Sequence, residues 1–79
     1  MRLPRDVNAA QLIKALAVLG YHVSRQTGSH IRLTTHQNGE HHITVPNHNP
    51  LRIGTLSSIL SDIALHFNTS KEEILDQLF

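Results

Sequence analysis

The sequence predicts an α+β fold in which helices cover one face of a three-stranded antiparallel sheet, in the order α-β-β-β-α-α. Apolar residues recur at intervals of three and four near both ends of the chain, which is the spacing of one helix face. Between residues 21 and 45 they alternate with polar residues instead, which is the spacing of a half-buried strand. Helices before and after such a meander can pack on the same face of the sheet, so the other face is left to water or to a ligand.

The first helix is predicted to begin after Asn8. The Asn8 side chain can accept a hydrogen bond from the backbone of Gln11, and the Gln11 side chain can accept one in return, which is the capping-box arrangement. A stripe of apolar residues follows at helical spacing: Leu12, Ile13, Leu16 and Leu19. Gly20 then supplies a natural end to the helix.

Three strands are predicted from the alternating pattern and from the turns that separate them. Thr27-Gly28 marks the first turn, and Asn38-Gly39 is a strong hairpin signal at the second. Pro46 ends the third strand. The alternation directs four apolar residues inward: Ile31, Leu33, Ile43 and Val45. It directs a polar set to the open side of the sheet: His22, Ser24, His30, Arg32, Thr34, His42 and Thr44.

Two more helices are predicted after a loop that contains Pro50. Thr55 can cap the longer helix, and Ser70 with Glu73 can form a capping box for the shorter one. The apolar face of the longer helix has regular helical spacing: Leu56, Ile59, Leu60, Ile63, Ala64 and Phe67. The last helix carries Ile74, Leu75 and Leu78. We expect residues 1–79 to form a single domain, because a chain of this length holds one modest core.

The composition excludes several kinds of site. The chain has no cysteine, so disulfides, thiolate zinc sites and cysteine nucleophiles are excluded. It has neither an apolar run of the ~20 residues that span a membrane nor the apolar stretch of a signal peptide, so we expect a cytoplasmic protein. Residues 1–55 carry six Lys or Arg against two acids, whereas residues 56–79 carry one against four. We expect any polyanion to meet the basic first two-thirds of the chain.

Seven histidines among 79 residues are the strongest anomaly of the composition. A metal site is one interpretation, but His41 and His42 are neighbours on a predicted strand and so point to opposite faces. No predicted helix carries two histidines four residues apart with a glutamate. His22, His30 and His42 share the open side of the sheet, which leaves a metal there as an alternative. We expect no metal and no cofactor.

A DNA-binding helix-turn-helix between Leu56 and Phe79 is another alternative. Its second helix would be Lys71–Asp76, which carries three acids against one base. Negative charge is the wrong sign for a DNA groove, so we reject this interpretation.

Four blocks of the sequence together resemble the HicA toxin family. They are Leu19–Tyr21, Arg25–His30, Val45–His48 and Arg52–Leu60. The resemblance extends from about Ala10 to Leu78, with the blocks in the family's order and at its spacing. The chain departs from the family at Ser57 and Ser58, where members commonly carry Lys or Arg, and in its low net charge of +1.

The resemblance implies a fold like that of the double-stranded-RNA-binding domain (dsRBD). It also implies the activity of a small mRNA interferase, encoded beside a HicB antitoxin. The family's catalytic histidine matches His30, and the tight turn before it matches Gly28 and Ser29. His48 matches a histidine that follows the family's Val-Pro pair, and we assign it no catalytic role.

RNA carries its own nucleophile, the ribose 2′-hydroxyl, so a ribonuclease can be very small. Histidine titrates close to neutral pH and can act there as acid or base. Under this hypothesis His30 moves a proton, and Ser29 and the Gly28 turn amides hold phosphate. Arg25 and Arg32 bind the RNA backbone. The partners are then mRNA and a HicB-like antitoxin, and the alternative is a non-catalytic RNA-binding module on the same fold.

Overall fold

A computed structural model describes residues 3–79; Met1 and Arg2, the start of the predicted domain, lie outside the described residues. The elements are α1 (Ala9–Leu16), β1 (His22–Thr27), β2 (His30–Thr35), β3 (His41–Pro46), α2 (Ile53–His66) and α3 (Lys71–Leu78). The strands pair antiparallel in the order β1-β2-β3. The predicted α+β, dsRBD-like fold with the order α-β-β-β-α-α is therefore confirmed.

Helix α1 begins at the predicted capping box. The backbone amide of Gln11 donates to Asn8 Oδ1 at 2.8 Å, and the amide of Asn8 donates to Gln11 Oε1 at 2.9 Å. The α-helix ends at Leu16, before the end of the apolar stripe, and a 3₁₀ turn (Ala17–Leu19) leads to Gly20. Gly20 has φ +81°, in the left-handed region that favours glycine.

The position of Gly20 also has no room for a side chain. A Cβ atom there would lie 2.7 Å from Gln37 Nε2 and 2.9 Å from Thr35 Oγ1. Thr35 is fully buried, and its hydroxyl donates to the Leu19 carbonyl at 2.7 Å. This hydrogen bond joins the end of the first helical segment to the end of β2, and the glycine allows the close approach.

One hydrophobic core holds the helices on a single face of the sheet. The predicted inward strand residues are all buried: Ile31, Leu33, Ile43 and Val45. The buried face of α2 is also as predicted: Leu56, Ile59, Leu60, Ile63 and Ala64, with Phe67 partly buried. Since each fully buried aliphatic side chain contributes about 1.5–3 kcal/mol, these two sets account for much of the packing.

Helix α2 begins earlier than the sequence predicts. The predicted cap at Thr55 is wrong, because the helix begins at Ile53 with Arg52 in extended backbone at the cap position. The Leu56 amide donates to the Arg52 carbonyl at 2.9 Å and closes the first turn. Leu51 is buried, and its amide donates to the segment before α1 at 2.7 Å, so the chain is already fixed where the helix begins. No helix in residues 3–79, including the 14-residue α2, has the length and apolar character needed to cross a bilayer.

Helix α3 packs on α2 through Ile74 and Leu75, which are buried. Half of its predicted capping box is confirmed, since the Glu73 amide donates to Ser70 Oγ at 3.1 Å; the Glu73 side chain does not return to the Ser70 amide. The Glu73 carboxylate accepts a hydrogen bond from the Thr69 hydroxyl, so Glu73 stabilises the start of this helix through two different neighbours.

A cluster of rings on the helix side of the sheet joins β3 to α2. Tyr21 is 3% exposed, and its hydroxyl lies 2.7 Å from His41 Nδ1. The other ring nitrogen of His41 lies 3.5 Å from the Asp62 carboxylate. Burial, and after it the charge of Asp62, raises the pKa of Tyr21 to about 12. His66 stacks on His41 with ring centroids 4.4 Å apart, so the end of α2 is held against the sheet by rings as well as by aliphatic packing.

Candidate functional site

The sheet face opposite the helices, called the open face from here on, carries its side chains in three rows. Residues that lie opposite one another on adjacent strands share a face, so each row runs across the sheet. The rows are Thr27, His30 and Pro46; Arg25, Arg32 and Thr44; and His22, Thr34 and His42. Neighbouring rows are two residues apart along a strand, or about 7 Å.

His30 lies at one end of the open face, as the exposed first residue of β2. Gly28 and Ser29 form the two-residue turn before it, and Gly28 has φ +54°. A glycine with positive φ at the first turn position suits a type II′ hairpin turn. A Cβ atom on Gly28 would meet nothing within 4 Å, so the turn is open on that side. The Asn47 amide donates to the Ser29 carbonyl at 2.6 Å and fixes the loop after β3 beside this turn.

A bulge in β1 places two arginines side by side in the middle row. The register shifts between Val23 and Arg25, so that Arg25 comes opposite Arg32. Strict alternation would have turned Arg25 to the same side as Val23, toward the helices. Like charges directly opposite each other destabilise a sheet, and the ion pairs within residues 3–79 involve histidines rather than these arginines. The pair is an uncompensated positive site of the kind that binds phosphate.

The row farthest from His30 contains a hydrogen-bonded chain that ends at a carboxylate. His42 Nε2 lies 3.0 Å from Glu40 Oε2, and His42 Nδ1 lies 2.7 Å from Thr34 Oγ1. Thr34 Oγ1 lies 2.8 Å from Ser24 Oγ. The Thr34 hydroxyl donates its one proton to Ser24 Oγ, so it accepts from Nδ1 of His42. Both nitrogens of His42 are therefore engaged within the protein.

The three histidines on the open face do not converge. His22 and His42 share a row, whereas His30 lies two rows away, about 13 Å along the strand. Across residues 3–79, no group of three or more His, Cys, Asp or Glu side chains is arranged to hold a metal ion. The arrangement does not favour the alternative of a metal bound by these three histidines.

The candidate site is a surface rather than a pocket. A cavity of about 520 Å³ lies between the segment before α1, α1 itself and the chain end. Side chains such as Lys14 and Phe79 line it, and none of its lining residues belongs to a strand. The open face is thus separate from this cavity.

Residues 9–65 match the family model described as "HicA toxin of bacterial toxin-antitoxin". The chain belongs to the HicA toxin family. No curated protein and no solved structure matches it. As a HicA toxin the chain is the toxin component of a toxin–antitoxin system, and it pairs with an antitoxin.

The matched segment of this HicA toxin contains every site residue that the sequence predicts. The structure brings all of them to the first turn and the two rows of the open face next to it: Arg25, Gly28, Ser29, His30 and Arg32. The bulge between Val23 and Arg25 was not predicted from the sequence. The available signal was Arg25 itself, since strict alternation would place this charged side chain on the buried face of β1. Sequence reasoning also missed the backbone contact between Asn47 and Ser29, for which the residue types carry no signal.

The first turns of α2, where this HicA toxin carries Ser57 and Ser58, receive a cation from another helix. Lys71 Nζ, at the start of α3, donates to Ser57 Oγ at 2.6 Å. An ammonium group therefore lies beside the turn at which family members commonly carry their own Lys or Arg.

Proposed function

We propose that this HicA toxin is a metal-independent endoribonuclease, an mRNA interferase, which cleaves mRNA and thereby arrests translation. The position of His30 carries the proposal, because it is exposed between the Gly28-Ser29 turn and the arginine pair. Family membership supports a toxin, and this arrangement supports RNA as its target. The protein then acts in the cytoplasm, where mRNA is translated, and needs no cofactor.

The open face suits an RNA strand that runs along β2. Arg25 and Arg32 lie one row, about 7 Å, from His30; Arg25 binds a phosphate next to the one that is cleaved, and Arg32 reaches toward the cleaved phosphate itself. A guanidinium donates two parallel hydrogen bonds to a phosphate, so the pair fixes position as well as charge. The Gly28-Ser29 turn offers backbone amides and the Ser29 hydroxyl to the phosphate at His30.

The chemistry that remains for the protein is proton transfer and charge stabilisation. The 2′-hydroxyl is the nucleophile and is already attached to the substrate, so no metal-bound hydroxide is required. His30 transfers a proton in the cleavage step, and one such group contributes about 10²–10⁴-fold to the rate. Arg32, in the next row, stabilises the negative charge that develops on the phosphate.

The protein partner that we propose is a HicB-like antitoxin with an acidic or mixed-charge surface. Such a surface resembles a polyanion and can cover His30 and Arg32 without unfolding the toxin. Binding of this kind silences the toxin because the whole candidate site lies on one exposed face.

Induced expression in bacterial cells tests the proposal. His30→Ala should abolish growth arrest and RNA loss, while the purified variant unfolds as cooperatively as the wild type, because an exposed residue contributes little to packing. Co-expression of the antitoxin should restore growth to cells that make the wild type. Growth arrest that persists with soluble His30→Ala but is lost with Arg32→Gln would contradict catalysis and favour a non-catalytic RNA-binding module.

A further inference from the structure

The loop after β3 brings a second histidine, His48, to the end of the open face where His30 lies. Pro46, the last residue of β3, is the cross-strand partner of His30. Opposite residues of an antiparallel pair have Cα atoms about 4.5–5.5 Å apart. His48 follows two residues later, and its amide donates to the Pro46 carbonyl at 2.9 Å. This three-residue turn keeps His48 close to the end of the strand.

The loop is fixed on both sides of His48. Before it, the Asn47 amide donates to the Ser29 carbonyl at 2.6 Å. After it, Asn49 Oδ1 accepts from the first amide of α1 at 3.3 Å, and Leu51 is buried in the core. His48 itself is exposed. An exposed imidazole on a loop held in this way can meet a bound substrate at a small ordering cost.

Cleavage of RNA through the 2′-hydroxyl moves two protons, and His30 accounts for one of them. As the 2′-O–P bond forms, the hydroxyl proton passes to a base. As the P–O5′ bond breaks, the leaving oxygen takes a proton from an acid, and the products are a 2′,3′-cyclic phosphate and a 5′-hydroxyl. Among the described residues that the strand register and the loop contacts place around His30, His48 carries the other imidazole. His42 is about 13 Å away along the sheet and its ring is engaged by Glu40 and Thr34.

Contrary to the sequence-based expectation that His48 has no catalytic role, we propose that it is a second catalytic residue of this toxin and that it acts as the general acid. The imidazolium of His48 gives its proton to O5′ while His30 takes the proton of the 2′-hydroxyl. Exchange of protons with water then returns both rings to their starting states. The proposal rests on the proposed ribonuclease function and adds to it the group that protonates the leaving oxygen.

The first test compares cleavage of a short RNA with one cleavable linkage by three proteins. His48→Ala should cut about 10²–10⁴-fold more slowly than the wild type. His36→Ala is the matched control, since His36 is 68% exposed and lies in the turn at the other end of β2, and it should cut at the wild-type rate. The pH–rate profile of the wild type should be bell-shaped, and His48→Ala should lose the decline at high pH that deprotonation of the acid causes. A wild-type rate or an unchanged profile for His48→Ala would overturn the proposal.

The second test uses an RNA in which sulfur replaces O5′ and separates an acid from a structural role. A thiolate is a far better leaving group than an alkoxide and leaves without a proton, so His48→Ala should cut this RNA at close to the wild-type rate. His30→Ala should stay inactive on it. Absence of rescue for His48→Ala, or rescue of His30→Ala in its place, would overturn the assignment. A wild-type protein that cuts neither RNA would contradict the ribonuclease function itself.

Discussion

Alkaline pH should destabilise the fold through one residue, Tyr21. Its pKa is raised from 10.0 to about 12, first by burial and then by the charge of Asp62, so the unfolded chain loses this proton before the folded protein does. Between pH 10 and about 12 the unfolded state binds fewer protons, and the free energy of unfolding therefore falls as the pH rises. At about 1.4 kcal/mol for each pKa unit, the loss is on the order of 2–3 kcal/mol. That is a large part of the roughly 4–12 kcal/mol expected for a domain of this size.

The assay is urea unfolding of the wild type and of Tyr21→Phe, followed by circular dichroism at a series of pH values. At neutral pH the variant should be less stable by about 0.5–1.5 kcal/mol, because it loses the hydrogen bond to His41. In the alkaline window the difference should shrink and reverse, since phenylalanine does not ionise. Tyr21 is the single tyrosine and the chain has no tryptophan, so the tyrosinate absorbance of the folded protein reports this pKa directly. Parallel stability curves for the two proteins, or a pKa of the folded state near 10.0, would refute the reasoning.

Three further predictions concern the core, the first helix end and the basic row. Leu60→Ala should lower the free energy of unfolding by about 2–5 kcal/mol, because Leu60 is fully buried, and an unchanged melting temperature would contradict the packing described. Gly20→Ala, with φ +81° and neighbouring atoms 2.7 Å from the new Cβ, should destabilise by about 1–3 kcal/mol or more. The control is Gly54→Ala in α2, where a new Cβ atom meets nothing within 4 Å, and it should stabilise the fold by about 0.5–1 kcal/mol. Equal effects of the two substitutions on thermal unfolding would contradict this account of Gly20. Single-stranded RNA should bind to the His30→Ala variant more weakly as the salt concentration rises. Adding Arg25→Gln or Arg32→Gln should reduce the slope of log binding constant against log salt by about 0.7 for each phosphate that is no longer neutralised. An unchanged slope would show that these arginines do not bind phosphate.

The apolar pattern was sufficient to predict the core face of the sheet and of α2. Ile31 and Leu33 on β2, and Ile43 and Val45 on β3, alternate without interruption, and each residue of the four is buried as predicted. The register between β2 and β3 is regular, so the alternation along each strand alone decides which side chains face the core. The chemistry of the open face followed from the same alternation.

Features that depend on contacts between distant segments were not predictable in this way. The bulge that turns Arg25 to the open face arises where β1 pairs with β2, and alternation within β1 alone gives the opposite side. Helix α2 begins before Thr55 because Leu51 is anchored in the core next to it. His48 lies beside the candidate site because the backbone amide of Asn47 donates to the Ser29 carbonyl. Every residue type except proline has such an amide, so the identity of the residue at position 47 does not predict this contact.

Cleavage of a defined mRNA by the purified protein, with a metal chelator present, is the most direct test of His30 as the catalytic residue of a metal-independent ribonuclease. The wild type should cut the RNA and leave 2′,3′-cyclic phosphate ends. His30→Ala should bind the same RNA with similar affinity and cut it about 10²–10⁴-fold more slowly, because it keeps the arginine pair and loses the proton transfer. Equal cutting by the two proteins would contradict the role of His30. A wild type that arrests growth in cells but leaves the RNA intact under these conditions would contradict the proposed metal-independent ribonuclease activity.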